Sequence, residues 1–201
     1  MNTILKNTIS ITVITLVAGL ALGVVQDITA GPIATQQEKS KEEAYKTVFE
    51  AADKFEIYSA DDGLTSYLSD NGFTAQTIDE IMVAEDASGE TLGYAFTVID
   101  SEGYGGDIQF AMGVQNDGTL NGISILSISE TAGLGMKATT DSFKDQFKNK
   151  NVEKFTYTKT GASSDDEIDA ISGATITTNA MTNGVNAGLC AFRYVEGGAE
   201  S

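Results

Sequence analysis

The segment Ile108-Gln109-Phe110-Ala111-Met112-Gly113-Val114, with Asn116-Asp117-Gly118 two residues later, decides the fold class. Apolar residues at 108, 110, 112 and 114 alternate with small or polar ones, and this period of two predicts a half-buried β-strand. Asn, Asp and Gly tolerate positive φ angles, so residues 116–118 predict a hairpin turn. The return strand is predicted over residues 120–129, and its broken alternation between Ile125 and Ile128 allows a β-bulge.

Similar patterns extend on both sides of this hairpin. Further strands are predicted over residues 77–84, 92–99 and 155–158, and helices over residues 35–55, 64–68, 141–148 and 177–194. The last helix has one apolar face and is predicted to end at Gly197-Gly198. Cys190 lies on it and is interpreted as a small buried hydrophobe. The sum is an α+β fold, an antiparallel sheet with packed helices.

An apolar segment precedes this domain. Residues 7–26 contain no charged side chain, and about 20 apolar residues suffice for one transmembrane helix. Lys6 before the segment and Asp27 after it predict a cytoplasmic N-terminus and an outer domain. The alternative is a cleaved signal peptide ending at Ile28-Thr29-Ala30, although the apolar run exceeds the usual core of about 7–15 residues. We therefore expect a transmembrane anchor over residues 1–30, a stalk helix over 31–60 after Pro32 marks the exit, and an extracytoplasmic domain over 61–201.

Composition excludes several functional classes. The chain has 12 Lys and Arg against 29 Asp and Glu, a net charge of −17, which argues against nucleic acid or anionic lipid as a partner of the soluble part. It has no histidine and one cysteine, so His-based catalysis, a disulfide, a zinc site and an iron–sulfur site are not expected. We predict no catalytic residue and no metal, and any redox chemistry requires an organic cofactor.

The stretch Asp169-Ala170-Ile171-Ser172-Gly173-Ala174-Thr175 carries the chemical signal. Its small residues allow a bulky ligand to approach the backbone. Thr175 stands near the start of the last helix, where free N–H groups and the helix dipole favour a phosphate. A threonine hydroxyl can also be esterified by phosphate. The alternative interpretation is structural, because the hydroxyl residues here are ordinary helix N-cap candidates; they are Ser172, Thr175, Thr177 and Thr178.

Two glycine-rich stretches accompany it: Gly103-Tyr104-Gly105-Gly106, and Glu130-Thr131-Ala132-Gly133-Leu134-Gly135-Met136-Lys137-Ala138. Each by itself is typical of a flexible loop. In this order behind one membrane helix, the three motifs resemble the membrane-anchored FMN-binding domain. That family occurs in the G subunit of the Rnf complex and in the C subunit of the sodium-pumping NADH:quinone reductase.

The resemblance implies a role for each motif. Thr175 is the residue expected to bear FMN through a phosphoester bond, which a separate flavin transferase makes from FAD. Residues expected in the motif that the transferase recognises are Asp169, Ser172, Gly173 and Ala174. Residues expected in the loop against the flavin are Glu130, Thr131, Leu134 and Gly135, and Tyr104 belongs to the glycine-rich loop. Thr177 and Thr178 then become the better cap candidates. Ile128 and Ala132 depart from the His and Pro that the family often has.

The resemblance also implies an assembly. We expect an electron-transfer subunit of an ion-translocating ferredoxin:NAD oxidoreductase, a translocase, with no independent substrate site. Its partners would be the other membrane and cytoplasmic subunits of the Rnf complex and the flavin transferase. The FMN domain would lie on the outer face of the cell membrane. The alternatives are the C subunit of the quinone reductase, whose soluble part is usually longer, and a non-redox anchored binding module in which Ser-Gly-Ala-Thr is only a helix cap.

Overall fold

The computed structural model describes residues 2–198 and divides into two compact units between Ser40 and Lys41. Helix α1 spans Thr3–Val48 and runs through Pro32, although a proline inside a helix removes one backbone hydrogen bond. An 18-residue window within α1 has a mean hydropathy of 2.3, and none of it is buried. An apolar helix this long with no protein covering it supports membrane anchoring.

The other elements belong to the second unit. In chain order they are β1 (Lys54–Ile57), α2 (Gly63–Asp70), β2 (Gln76–Glu85), β3 (Thr91–Asp100), β4 (Ile108–Gln115), β5 (Leu120–Ser127), α3 (Asp141–Lys144), β6 (Thr156–Thr158), β7 (Glu167–Asp169) and α4 (Thr175–Gly198). Short 3-10 helices cover Gly135–Thr139 and Asp145–Phe147. The fold is therefore α+β, as predicted. The helix predicted over residues 35–55 is too long, because α1 ends at Val48 and Phe55 lies in β1.

Five strands form one antiparallel sheet in the order β1-β2-β3-β4-β5. The predicted hairpin joins β4 and β5, and Gly118 closes it with a φ of +84°. The predicted bulge is also present: Phe110 pairs with Ile125 and Gln109 with Ser127, so Leu126 is the extra residue. An inserted residue of this kind bends the strand, and β5 ends two residues earlier than expected.

The sheet is covered on both faces. Helix α4 packs on one face, where Phe96, Phe110 and Met112 are fully buried. The end of α1 covers the other, where Tyr45 and Val48 contact a cluster that includes Ala111. The prediction that β4 is half-buried is therefore wrong. The small residues that alternate with its apolar ones are buried too, because a second helix lies directly on them.

Helix α4 differs from the prediction at its start. It begins at Thr175, two residues earlier than expected, and its last described residue is Gly198, which agrees with the predicted end at Gly197-Gly198. Its apolar face packs into the core as predicted. Cys190 is fully buried, and burial raises the pKa of its thiol, which disfavours the reactive thiolate.

A second, two-stranded sheet leads into the motif turn. Strands β6 and β7 pair in parallel, with Thr158 opposite Asp169. The side chain of buried Asn186 in α4 accepts from Phe155 N at 2.7 Å and donates to Phe155 O at 2.9 Å, which holds the start of β6 on the helix. The sequence did not indicate β7, which is only three residues long.

Candidate functional site

The motif turn is fixed by hydrogen bonds between residues 171 and 178. Ala174 N donates to Ile171 O at 3.0 Å, and Gly173 adopts a φ of +77°, which a glycine reaches without steric cost. Thr178 Oγ1 accepts from Ile171 N at 3.0 Å and donates to Ala174 O at 2.9 Å. The prediction of Thr178 as an N-cap is therefore wrong. Ala174 is the residue before the helix. Thr178 lies inside the first turn of α4, and its hydroxyl holds the motif turn by these two hydrogen bonds.

Thr175 is the first residue of α4 and is partly exposed. Because Thr178 N donates to Ala174 O at 3.0 Å, the N–H groups of residues 175–177 precede the helix's own hydrogen-bond ladder. Unpaired N–H groups and the positive end of the dipole favour an anion at this position. Thr177, the other predicted cap, instead points into the protein, with 1% of its surface exposed.

The carboxylate of Glu130 joins the two glycine-rich loops. It is 9% exposed, and its Oε1 accepts from Gly105 N at 3.3 Å. A Cβ added to Gly105 would lie 1.9 Å from Ser129 O, so the first loop packs directly on the backbone before Glu130. On the other side, a Cβ at Gly135 would lie 2.5 Å from Glu130 Oε2 and 2.6 Å from Thr177 Oγ1.

The Glu130 loop also reaches the motif turn. Leu134 is 42% exposed, and its Cδ2 lies 3.1 Å from the position that a Cβ on Gly173 would take. Thr131 O accepts from Leu134 N at 3.1 Å and from Met136 N at 3.2 Å, which shapes the loop. Glu130, Thr131, Leu134, Gly135 and Gly173 thus lie in one continuous region at the start of α4.

Three predicted residues have other surroundings. Tyr104 is 70% exposed, whereas the neighbouring Gly105 donates its N–H to Glu130. Ala174 is buried in the core, so Gly173 alone provides the open approach to the backbone. Asp169 is exposed and accepts from Ala162 N at 2.7 Å, so it organises the preceding loop.

The structure adds residues that the sequence did not single out. Gln146 pairs with the backbone of Asp169, accepting from its N–H at 2.6 Å and donating to its carbonyl at 3.4 Å. A cavity of about 510 Å³ lies beside this contact, and its lining includes Lys137, Thr140 and residues 169–172. A separate cavity of about 420 Å³ at residues 47–51 contains none of the predicted site residues.

Comparison with known proteins identifies the family. Residues 103–189, from the first glycine-rich loop to α4, match the FMN-binding domain family. The chain is 31% identical over 183 residues to the G subunit of the Na⁺-translocating ferredoxin:NAD⁺ oxidoreductase complex of Acetobacterium woodii, with 90% of this chain and 87% of the relative covered. The chain belongs to the family of G subunits.

Two further G subunits are similar to this chain over most of their length. The proton-translocating complex of Clostridium ljungdahlii has a G subunit that is 30% identical, with 92% of this chain and 89% of that protein covered. The G subunit of Methanosarcina acetivorans, from an ion-translocating oxidoreductase complex, is also 30% identical, with 92% and 93% covered.

Solved structures share the fold. The C subunit of the Na⁺-translocating NADH-quinone reductase from Parabacteroides distasonis superposes with a TM-score of 0.55 at 19% identity, covering 81% of this chain and 94% of that chain. Shewanella oneidensis NqrC gives a TM-score of 0.51 at 17% identity, with 76% and 73% covered. These similarities concern the fold alone, whereas the sequence relatives are G subunits.

The residues present fit an FMN. The absence of a side chain at Gly173 lets Leu134 lie against the motif turn, and the partly exposed Thr175 hydroxyl lies at a helix start suited to a phosphate. The cavity beside residues 169–172 has a volume in the range of small-molecule sites, about 300–1,000 Å³. Its lining carries one positive and one negative side chain, Lys137 and Asp169. These features are compatible with a phosphate at the start of α4 and a ring system beside Leu134 and Gly173.

Proposed function

We propose that this chain is the electron-transfer subunit of a membrane complex of the Rnf type, and that it carries FMN as a phosphoester on Thr175. One observation carries the proposal: Thr175 is the partly exposed first residue of α4, beside the region where the two glycine-rich loops meet. The similarity to G subunits over 90% of the chain supports the same role. A bound flavin would supply the redox chemistry that this histidine-free chain lacks.

The protein's own part is to hold and orient the cofactor. The N–H groups at the start of α4 would face the phosphate, and Thr178 would keep the turn in position. Leu134 and Gly173 would border the flavin, and Glu130 would join the loops around it. The motif from Asp169 to Thr175 would also be presented to a flavin transferase, because most of its residues lie at the surface.

The proposed setting is the outer face of the cell membrane. Lys6 and Asp27 flank the apolar part of α1 with the charges expected for a cytoplasmic N-terminus. Names of relatives specify Na⁺ or proton translocation and ferredoxin:NAD⁺ oxidoreduction. We propose that ferredoxin and NAD bind to other subunits and that this chain passes electrons between neighbouring redox centres.

Covalent attachment is tested on the full chain produced together with a flavin transferase. The denatured band on a gel should fluoresce under ultraviolet light, and mass spectrometry of the peptide containing residue 175 should show the added FMN. Thr175→Val should abolish both signals, because it keeps the shape and removes the hydroxyl. Thr175→Ser should keep them, and Thr177→Ala is the neighbouring control. Flavin retained covalently in Thr175→Val would reject this attachment site.

The main alternative is the C subunit of the quinone reductase, which shares the fold. The nearly full-length similarity to G subunits favours the Rnf-type complex. The complex purified through this chain should oxidise reduced ferredoxin with NAD⁺ and without quinone. Activity only with NADH and quinone would support the C-subunit function instead, and a chain without flavin would support a binding module.

A further inference from the structure

Two carboxylates bridged by one amide lie just before the first glycine-rich loop in the chain. Asp100 ends β3, and its register partner on β2 is Gln76. Gln76 Nε2 donates to Asp100 Oδ2 at 2.7 Å and to Glu102 Oε2 at 2.9 Å. Glu102 Oε2 also accepts from Asn183 Nδ2 of α4 at 2.7 Å. The neutral amide of Gln76 therefore bridges the two carboxylates, and the amide of Asn183 in α4 binds Glu102 alone.

Asp100 also sets the path of the chain into the loop. Its Oδ1 accepts from Glu102 N at 2.8 Å, an Asx turn that fixes the backbone one residue before Gly103. Gly105 N then donates to Glu130 Oε1. Added Cβ atoms at Gly103 and Gly135 would lie 3.2 Å and 2.5 Å from the Glu130 carboxylate, so both glycines lie close to it. The position of the loop thus depends on bonds that Asp100 accepts at one end and Glu130 accepts at the other.

The environment of Asp100 disfavours its charge. The residue is fully buried, and among residues 2–198 it has no ion-pair partner. The charged groups that face it are acidic, namely Glu102 and, at the far end of the loop, Asp107, while Glu130 lies across the loop. The residues of α4 on this side are uncharged. Gly184 lies beside Asp100, and Asn183 binds Glu102. Burial, reinforced by the negative charges of Glu102 and Asp107, raises the pKa of Asp100 to about 6.

We propose that Asp100 is a proton-linked positioning residue for the loop of residues 103–106, which it holds in place when ionised and loosens when protonated. A carboxylate accepts both hydrogen bonds strongly, whereas a carboxylic acid is a weaker acceptor and presents a donor to the Gln76 amide. Protonation therefore weakens the Asx turn and the Gln76 bridge together. The proposal concerns the site of the proposed function, but it rests on contacts within the protein and not on the flavin.

The test is an NMR titration of the full chain in detergent, prepared without flavin and labelled with ¹⁵N-tyrosine. The chain has 7 tyrosines, and Tyr104→Phe identifies the amide signal of Tyr104. We expect that signal to move with a midpoint close to the Asp100 pKa of about 6, while the signal of Tyr157 in β6 stays fixed and reports an intact fold. Because no flavin is present, the result is independent of whether Thr175 carries FMN.

Three variants decide the cause. Asp100→Asn should abolish the movement, since it mimics the protonated side chain. Glu102→Gln keeps an acceptor for the amides but removes a negative charge, so it should move the midpoint to lower pH. Glu90→Gln, just before the opposite end of β3, should leave it unchanged. The proposal would be overturned if the Tyr104 signal still titrated in Asp100→Asn, or if the midpoint were unchanged in Glu102→Gln. The absence of any titration in the parent chain would also overturn it.

Discussion

At Gly135 the structure leaves no room for a side chain. An added Cβ would lie 2.5 Å from Glu130 Oε2 and 2.6 Å from Thr177 Oγ1, both on buried residues. We expect Gly135→Ala to lower the free energy of unfolding by about 1–3 kcal/mol, the usual cost of overpacking, and to reduce flavin incorporation. Circular dichroism during thermal unfolding of the full chain in detergent measures the first effect. Gly197→Ala, in open space within α4, is the control and should be neutral or stabilising by up to about 1 kcal/mol.

Asp100 makes stability depend on pH in a defined direction. Its folded pKa of about 6 exceeds the ordinary value of 3.8, chiefly because of burial, so the folded state retains a proton that the unfolded state has released. The contribution of this residue to stability therefore falls as pH rises from 3.8 to about 6. Between those two pH values, the difference in unfolding free energy between Asp100→Asn and the parent should therefore shift in favour of the variant by up to about 3 kcal/mol. Unfolding at two pH values measures this gain, which the exposed Asp70→Asn should not show.

The first turn of α4 is held by one hydroxyl. Thr178→Val keeps the shape of the side chain but removes the acceptor of Ile171 N and the donor to Ala174 O. Leaving a buried N–H unpaired costs about 1–3 kcal/mol, so we expect lower stability and less covalent flavin. Thr182→Val is the matched control one turn later. Its hydroxyl donates only to Thr178 O, and its loss should cost less than about 1 kcal/mol. Equal effects of the two substitutions would argue against a special role for the turn.

Local patterns predicted the elements of the sheet well. The alternation over residues 108–114, the Asn-Asp-Gly turn and the bulge near Ile125 depend on neighbouring residues, and all three are present. The burial of Ala111 could not be predicted, because it depends on Tyr45 and Val48, which are more than 60 positions away in the chain. The start of α4 was misplaced because four hydroxyl residues competed as caps, whereas the actual cap position is Ala174, stabilised by a side chain within the helix.

Site geometry was predictable only in part. The motifs indicated which segments should meet, and Leu134 and Gly173 do meet. Contacts such as Gln146 with Asp169 and Glu130 with Gly105 join segments 23 and 25 residues apart. Such contacts leave no periodic signal in the sequence. Asp100 illustrates the same limit, because an acidic residue at a strand end ordinarily suggests exposure, yet its burial follows from the packing of α4.

For the whole molecule, the apolar helix and the acidic domain suggest different environments. The window of α1 with a mean hydropathy of 2.3 has no protein cover, while a net charge of −17 would be repelled by an anionic membrane surface. Because the N-terminal charge pattern gives the direction of insertion, each side of the membrane is expected to expose a different part of the chain. The one native cysteine is fully buried, so introduced cysteines can report that exposure with little background.

We therefore expect a membrane-impermeant maleimide to label Ala87→Cys on intact cells, because Ala87 is an exposed residue in the turn between β2 and β3. Asn2→Cys, ahead of Lys6, should be labelled only after the membrane is permeabilised. The parent chain should remain unlabelled under both conditions, because Cys190 is buried. The reverse pattern would contradict the proposed orientation. An Asn2→Cys chain that stays unlabelled after permeabilisation, together with a mature protein whose mass lacks residues 1–30, would show a cleaved signal peptide and contradict the anchor.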